Sequence, residues 1–175
     1  EDYLRFTSEA SGHSDSGPIL LNTLSVIMNQ MGLPGDVKIF GSCATALKSG
    51  SSDIDITYAG DIEAGSIPSV IVQFATLLPD FGFQNVTRIT QSNIPLVKFT
   101  DPRSGIEVDF CLHNDLGIRN SLLLDCYCRC DPRVAQLGRL VKDWAKRHEL
   151  VGTADGLLNS YAYMLLTIYY LQVIQ

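Results

Sequence analysis

The chain has 175 residues, 46% of them apolar and 18% charged, with a formal net charge of −6. That suits one globular domain or slightly more and excludes a disordered or low-complexity chain. The acidic balance also excludes nucleic-acid binding through bulk charge, so any such contact must use a local basic patch or a bound metal.

Residues 1–17 are polar and Ser/Gly-rich and read as a loose arm or linker. Pro18 opens a helix to about Met31, with Ile19, Leu20, Leu24, Ile27 and Met31 at roughly helical spacing and Gly32-Leu33-Pro34-Gly35 as its stop. Val37-Lys38-Ile39-Phe40 alternates as a first strand. A Gly41-Ser42 turn follows, then a Ser/Gly-rich bend, then Asp53-Ile54-Asp55-Ile56. In a strand over 53–58, Asp53 and Asp55 share one face and Ile54 and Ile56 the other, which packs into the core. No basic residue adjoins the two carboxylates in sequence. Such a pair is costly without a cation between its members, and a divalent metal is the usual answer. The small hydroxyls and backbone amides of the preceding turn are equipment for holding phosphate. Metal beside phosphate points to phosphoryl or nucleotidyl transfer.

Residues 60–67 read as a loop and 68–78 as an amphipathic helix; 81–90, 96–100 and 105–111 then read as strands separated by turn residues. The last strand carries Glu107-Val108-Asp109, which supplies a third carboxylate. The plainer alternative is that these acids only solvate the open face of an antiparallel sheet. From Leu116 the pattern becomes helical, over 116–129, 132–148 and 157–174, so the whole is α+β. Arg129, Arg133, Arg139, Lys142, Lys146 and Arg147 form a basic stretch opposed within it by Asp131 and Asp143. Trp144 is expected to face the core. The five cysteines, Cys43, Cys111, Cys126, Cys128 and Cys130, are odd in number and follow no secretory leader, which favours reduced, buried or partly buried thiols in an intracellular compartment. On a helix Cys126 and Cys130 share a face that Cys128 leaves, and no finger-like partner pair completes a zinc set. The uncharged run 157–174 approaches the length of a membrane span, but its tyrosines, Gln172 and missing basic flank favour a buried core helix instead. Its end at Gln175 without a stop signal suggests that the natural protein continues.

The Gly-Ser turn, a spacer of about ten residues and Asp-apolar-Asp-apolar resemble the polymerase β-type nucleotidyltransferase signature. Ile94-Pro95-Leu96-Val97-Lys98-Phe99, Glu107-Val108-Asp109, Leu116-Gly117-Ile118-Arg119-Asn120-Ser121, the run Leu140 to Arg147 and Leu158-Asn159-Ser160-Tyr161-Ala162-Tyr163 follow in order. Over about 37–172 they resemble the noncanonical poly(A) polymerase and terminal uridylyltransferase branch. The resemblance implies a polymerase β-like mixed sheet flanked by helices over 18–115, and part of a helical central domain over 116–175. It implies that Asp53, Asp55 and Asp109 hold two Mg²⁺ ions, with Mn²⁺ as an alternative, and that Asp109 assists proton removal. Gly41 and Ser42 would contact the triphosphate. Asn120 and Ser121 would contact the ribose, against the plainer reading of Asn120 as a helix cap. Lys142 and Lys146, four apart on one helix face, would neutralise phosphates and pyrophosphate; the bland alternative is a solvated basic face. Ser160 would meet phosphate and Tyr161 would stack on the base. His113, His148 and Glu107 receive no role.

The activity so implied is template-independent addition of UMP from UTP to the 3′ hydroxyl of single-stranded RNA. Addition of AMP from ATP is the alternative, and a non-enzymatic RNA-binding scaffold or a transferase acting on protein or small molecules are others. In the family, base choice depends on a segment beyond the last helix present. Further protein subunits of an RNA-processing complex are possible partners, a membrane is not expected, and cytoplasm and mitochondrion are both compatible with reduced thiols.

Overall fold

The structure, a computed structural model, describes residues 16–48, 53–92, 94–152 and 155–174. The arm expected over 1–17 lies outside them except for Ser16 and Gly17, which already belong to the first helix; the bend at 49–52 also lies outside.

Helix α1 (Ser16–Gln30) buries Leu20, Leu24, Ile27 and Met28, the i, i+4, i+7, i+8 stripe of an amphipathic helix. It leads to β1 (Asp36–Phe40), a short 3₁₀ turn (Gly41–Ala44) and β2 (Ile54–Ala59). Helix α2 (Ile67–Leu77), with Pro68 in its first turn, precedes β3 (Gln84–Ile89), β4 (Leu96–Asp101) and β5 (Ile106–Leu112). A 3₁₀ turn at Leu78–Phe81 and the positive φ of Gly82 (86°) delay β3 by three residues relative to the expected strand over 81–90. The loop expected over 60–67 contains a 3₁₀ turn at Ala64–Ser66.

The strands form one mixed sheet in the order β1-β2-β5-β4-β3. Its centre is the parallel pair β2 and β5; every other pairing is antiparallel. In that pair Ile54 lies opposite Val108 and Ile56 opposite Phe110, and all four side chains enter the core beneath α1 and α2. Phe74 of α2 stacks on Phe110 with ring centroids 4.2 Å apart and meets Phe99 edge-on at 6.4 Å. By strand alternation Asp55, Thr57, Asp109 and Cys111 occupy the other face.

That other face adjoins three helices, α3 (Asp115–Cys130), α4 (Pro132–Arg147) and α5 (Ser160–Val173). Asn114 fixes where α3 starts: its side chain accepts from the Gly117 amide, and its own amide donates to Thr57 Oγ1 on β2 at 3.0 Å. Asp131 and Asn159 cap α4 and α5 in the same manner. A second core joins Leu124, Val134, Met164, Ile168 and Leu171, with Leu47 reaching in from beyond the 3₁₀ turn. At Gly138 a Cβ would collide with the end of the Met164 side chain, so the Met164 thioether occupies the space that glycine leaves between α4 and α5.

Three expectations about this half need correction. Trp144 faces outward, 51% exposed and beside His148, because α4 buries its Val134, Gly138, Lys142 and Ala145 side. Helix α5 is not buried all round: Met164, Thr167, Ile168 and Leu171 are inside, while Leu165, Leu166, Tyr169 and Tyr170 are exposed. All five thiols are free and Cys43, Cys111 and Cys128 are buried, but Cys126 and Cys130 are exposed. Among the described residues no helix is long and apolar enough to cross a membrane.

Candidate active site

The outward face of the central parallel pair makes the floor of a cleft of about 320 Å³. Asp55 on β2 and Asp109 on β5 are direct register partners, while Asp53 stands exposed just before β2. Burial, then the neighbouring charges of Asp109 and Asp53, push the Asp55 carboxyl up to about 6, although Lys142 and Lys98 pull the other way. Gly41 turns over this carboxylate with φ 70°, and a Cβ at that position would collide with Asp55 Oδ2. Backbone conformation and close approach both require glycine here.

Lys98 was given no role from sequence. From β4 its Nζ donates to both Asp109 oxygens, at 2.6 and 2.8 Å, so the carboxylates do have a basic partner. Burial disfavours the Lys98 charge, but the bond to Asp109 more than offsets it and raises the pKa. The signal was present: Lys98 interrupts an apolar alternation, and folding the 96–111 hairpin about its turn sets it opposite Asp109.

The walls come from the helical half. Asn120 and Ser121 of α3, Lys142 and Lys146 of α4, and Ser160 and Tyr161 at the start of α5 line the cleft together with Gly41, Ser42, Asp53 and Asp55. All expected site residues therefore meet there except Asp109, which lies beside Asp55 but is turned to Lys98. Lys142 is buried, and that burial, with Lys146 nearby, lowers its pKa. A cationic wall thus faces an anionic floor. Phe40, Thr45, Leu47, Gly117, Leu124 and Met164 complete the lining and were not anticipated as site residues, since mostly apolar wall positions carry no chemical signature of their own.

Much of the basic stretch is engaged in local structure. Arg129 pairs with Asp125 at 2.6 Å and Arg133 with Asp131 at 2.7 Å, and Arg139 donates to the Ala46 carbonyl at 3.0 Å. The last bond ties α4 to the loop that follows the Gly-Ser turn.

The donor set fits a hard divalent cation. Carboxylate oxygens are its preferred ligands, like charges beside Asp55 raise its proton affinity, and the Lys98 ammonium already occupies a cation's place against Asp109. Among the described residues no group of three or more His, Cys, Asp or Glu side chains is placed to hold a metal ion; Asp109 is turned to Lys98, so a metal at Asp109 would share or displace that lysine.

The family described as "Poly(A) RNA polymerase, mitochondrial-like, central palm domain" matches residues 18–129. Terminal uridylyltransferase 4 of Homo sapiens is 37% identical over 139 residues, 77% of this chain and 8% of that protein. Poly(A) RNA polymerase GLD2 of Danio rerio is 32% identical over 145 residues, 78% of this chain and 29% of its own length. A crystal structure of the Cid1 poly(U) polymerase with Mg and 3′-dATP bound superposes with a TM-score of 0.75 at 29% identity, over 97% of this chain and 55% of that one. The chain therefore spans only a fraction of its relatives, about half in the case of Cid1.

Proposed function

The chain belongs to the mitochondrial-like poly(A) RNA polymerase central palm family, and on that premise we propose that it carries the catalytic palm of an RNA 3′-terminal nucleotidyltransferase. The observation that carries this reading is the single cleft in which a carboxylate floor, a glycine-serine turn and two helix-borne lysines converge. A nucleoside triphosphate has the complementary pattern: anionic phosphates for Lys142, Lys146 and the Gly41-Ser42 turn, and a π-face for Tyr161.

In the proposed reaction the RNA 3′ oxygen bonds to the α-phosphorus, the bond to the pyrophosphate oxygen breaks, and the hydroxyl proton leaves the nucleophile. Asp53, Asp55 and Asp109 would hold two Mg²⁺ ions, which supply Lewis-acid stabilisation of the developing charge when bound. Asp109 would mainly serve the second ion and assist removal of the hydroxyl proton. Lys142 and Lys146 neutralise the β- and γ-phosphates and then the departing pyrophosphate. Ser42 adds a hydroxyl donor to the phosphates, and Ser160 does the same from the start of α5. The Asn120 amide addresses the ribose hydroxyls, which favours ribonucleotides. Tyr161 stacks on the base, which gives affinity without choosing it.

UTP is the first choice of substrate, supported by the 37% identity to a uridylyltransferase, and ATP is the second, supported by the 32% identity to GLD2. Single-stranded RNA with a free 3′ hydroxyl is the proposed acceptor, within an intracellular RNA-processing setting. Extension of such an RNA with each ribonucleoside triphosphate in turn tests the reading. Extension by one nucleotide, lost in Asp55→Asn, supports it; RNA binding without extension by any nucleotide would favour a scaffold.

A further inference from the structure

Two of the five thiols lie outside the fold's interior. Cys126 and Cys130 are exposed and free, while Cys43, Cys111 and Cys128 are buried. The exposed pair belongs to the end of α3, four positions apart and therefore on one helix face. Cys128 between them turns into the second core with Leu124 and Val134. The carboxylates nearby in sequence are held by arginines, Asp125 by Arg129 at 2.6 Å and Asp131 by Arg133 at 2.7 Å. The two sulfurs are left as the donors of this face, and neither lines the nucleotide cleft.

Helix geometry decides what such a pair can hold. Side chains four apart on a helix have Cβ atoms about 5–6 Å apart. A disulfide needs about 3.5–4.5 Å between its Cβ atoms, so the two sulfurs cannot join directly while α3 stays helical. One soft atom between them closes the gap, because two bonds to sulfur of about 2.3 Å each add the missing reach. Among the described residues no group of three or more His, Cys, Asp or Glu side chains is placed to hold a metal ion. An ion bound here therefore takes two protein sulfurs and brings its other ligands with it.

We propose that Cys126 and Cys130 form a bidentate dithiol site for a soft, thiophilic ion that needs only two protein sulfurs, the monosubstituted trivalent arsenicals being the matching class. Sulfur donors select soft acceptors, which separates this site from the hard oxygen floor around Asp55. On binding an R–As(OH)₂ species, both S–H bonds and both arsenic–hydroxyl bonds break, two arsenic–sulfur bonds form and two waters leave. Arsenic stays trivalent, so no oxidant or reductant is required. The bridge clamps the last turn of α3 just before Asp131 caps α4. The site stands independently of the nucleotidyltransferase reading.

The test uses the full chain, kept reduced with a phosphine, and phenylarsine oxide as the probe. Intact-mass spectrometry should show one phenylarsenic group per chain, released by dithiothreitol. Peptide mapping should then show Cys126 and Cys130 both protected from iodoacetamide, a result that requires no variant to fold. Cys126→Ser and Cys130→Ser, each at an exposed position, should each weaken binding at least about 100-fold through loss of the second tether. No uptake, protection of one of the two cysteines alone, or undiminished binding in either serine variant would overturn the proposal. So would a Cys126–Cys130 disulfide formed with diamide at an unchanged far-UV circular dichroism spectrum. None of these readouts involves nucleotide incorporation, so failure of the proposed function and failure of this site are distinguishable.

Discussion

Asp55→Asn is expected to stabilise the metal-free protein while removing its chemistry. In the native state the Asp55 carboxyl keeps its proton to about pH 6, against an ordinary value of 3.8, chiefly because it is buried and secondly because Asp109 and Asp53 are close. Between those two values the native state binds more protons than the unfolded state. Stability from this group is therefore present in acid and lost as pH rises through about 6. At 1.36 kcal/mol per unit the separation corresponds to at most about 3 kcal/mol at neutral pH. For a chain of this size that is a ceiling of roughly 6–12 °C in Tm. Thermal unfolding in EDTA should show the variant several degrees above wild type at pH 7.5 and the gap closing near pH 4.5. Millimolar Mg²⁺ should raise wild type selectively. A variant that melts at or below wild type in EDTA at pH 7.5 would refute the claim that uncompensated charge is stored at this position.

Lys98→Met removes the cation held against Asp109; it should cost up to about 1 kcal/mol of metal-free stability, since the pair is partly exposed, and should tighten Mn²⁺ binding measured by electron paramagnetic resonance. Gly41→Ala forces a Cβ into the Asp55 carboxylate at positive φ and is expected to reduce kcat/KM by roughly 10- to 100-fold with an unchanged far-UV circular dichroism spectrum. Tyr161→Ala should raise KM for the nucleotide by roughly 10- to 100-fold, the value of one stacking contact, with a smaller effect on kcat in steady-state assays.

The parts of the site read from sequence were those encoded locally. Asp53 and Asp55 are expected on one face because strand alternation has a period of two, and the glycine before Ser42 is demanded by a turn only a few residues long. The element order followed for the same reason. What sequence concealed depends on partners far along the chain. Lys98 acquires its meaning from the register of a hairpin, and the Ser121 hydroxyl meets the Gly41 amide 80 residues away. Trp144 was misplaced because hydrophobicity alone puts tryptophan inside and lysine outside on α4. The cleft reverses that preference: it draws Lys142 inward towards the Asp55 charge and leaves Trp144 on the opposite side. Lys142, the lysine that breaks the burial pattern of α4, is the one the cleft recruits.

The most direct test of the central claim is primer extension on single-stranded RNA with Mg²⁺, supplying each ribonucleoside triphosphate separately to wild type and to Asp55→Asn. Extension selective for one nucleotide, UTP first and ATP second, and absent in the variant, is the expected result. Extension that persists in Asp55→Asn would contradict the assignment of this carboxylate cleft as the catalytic centre.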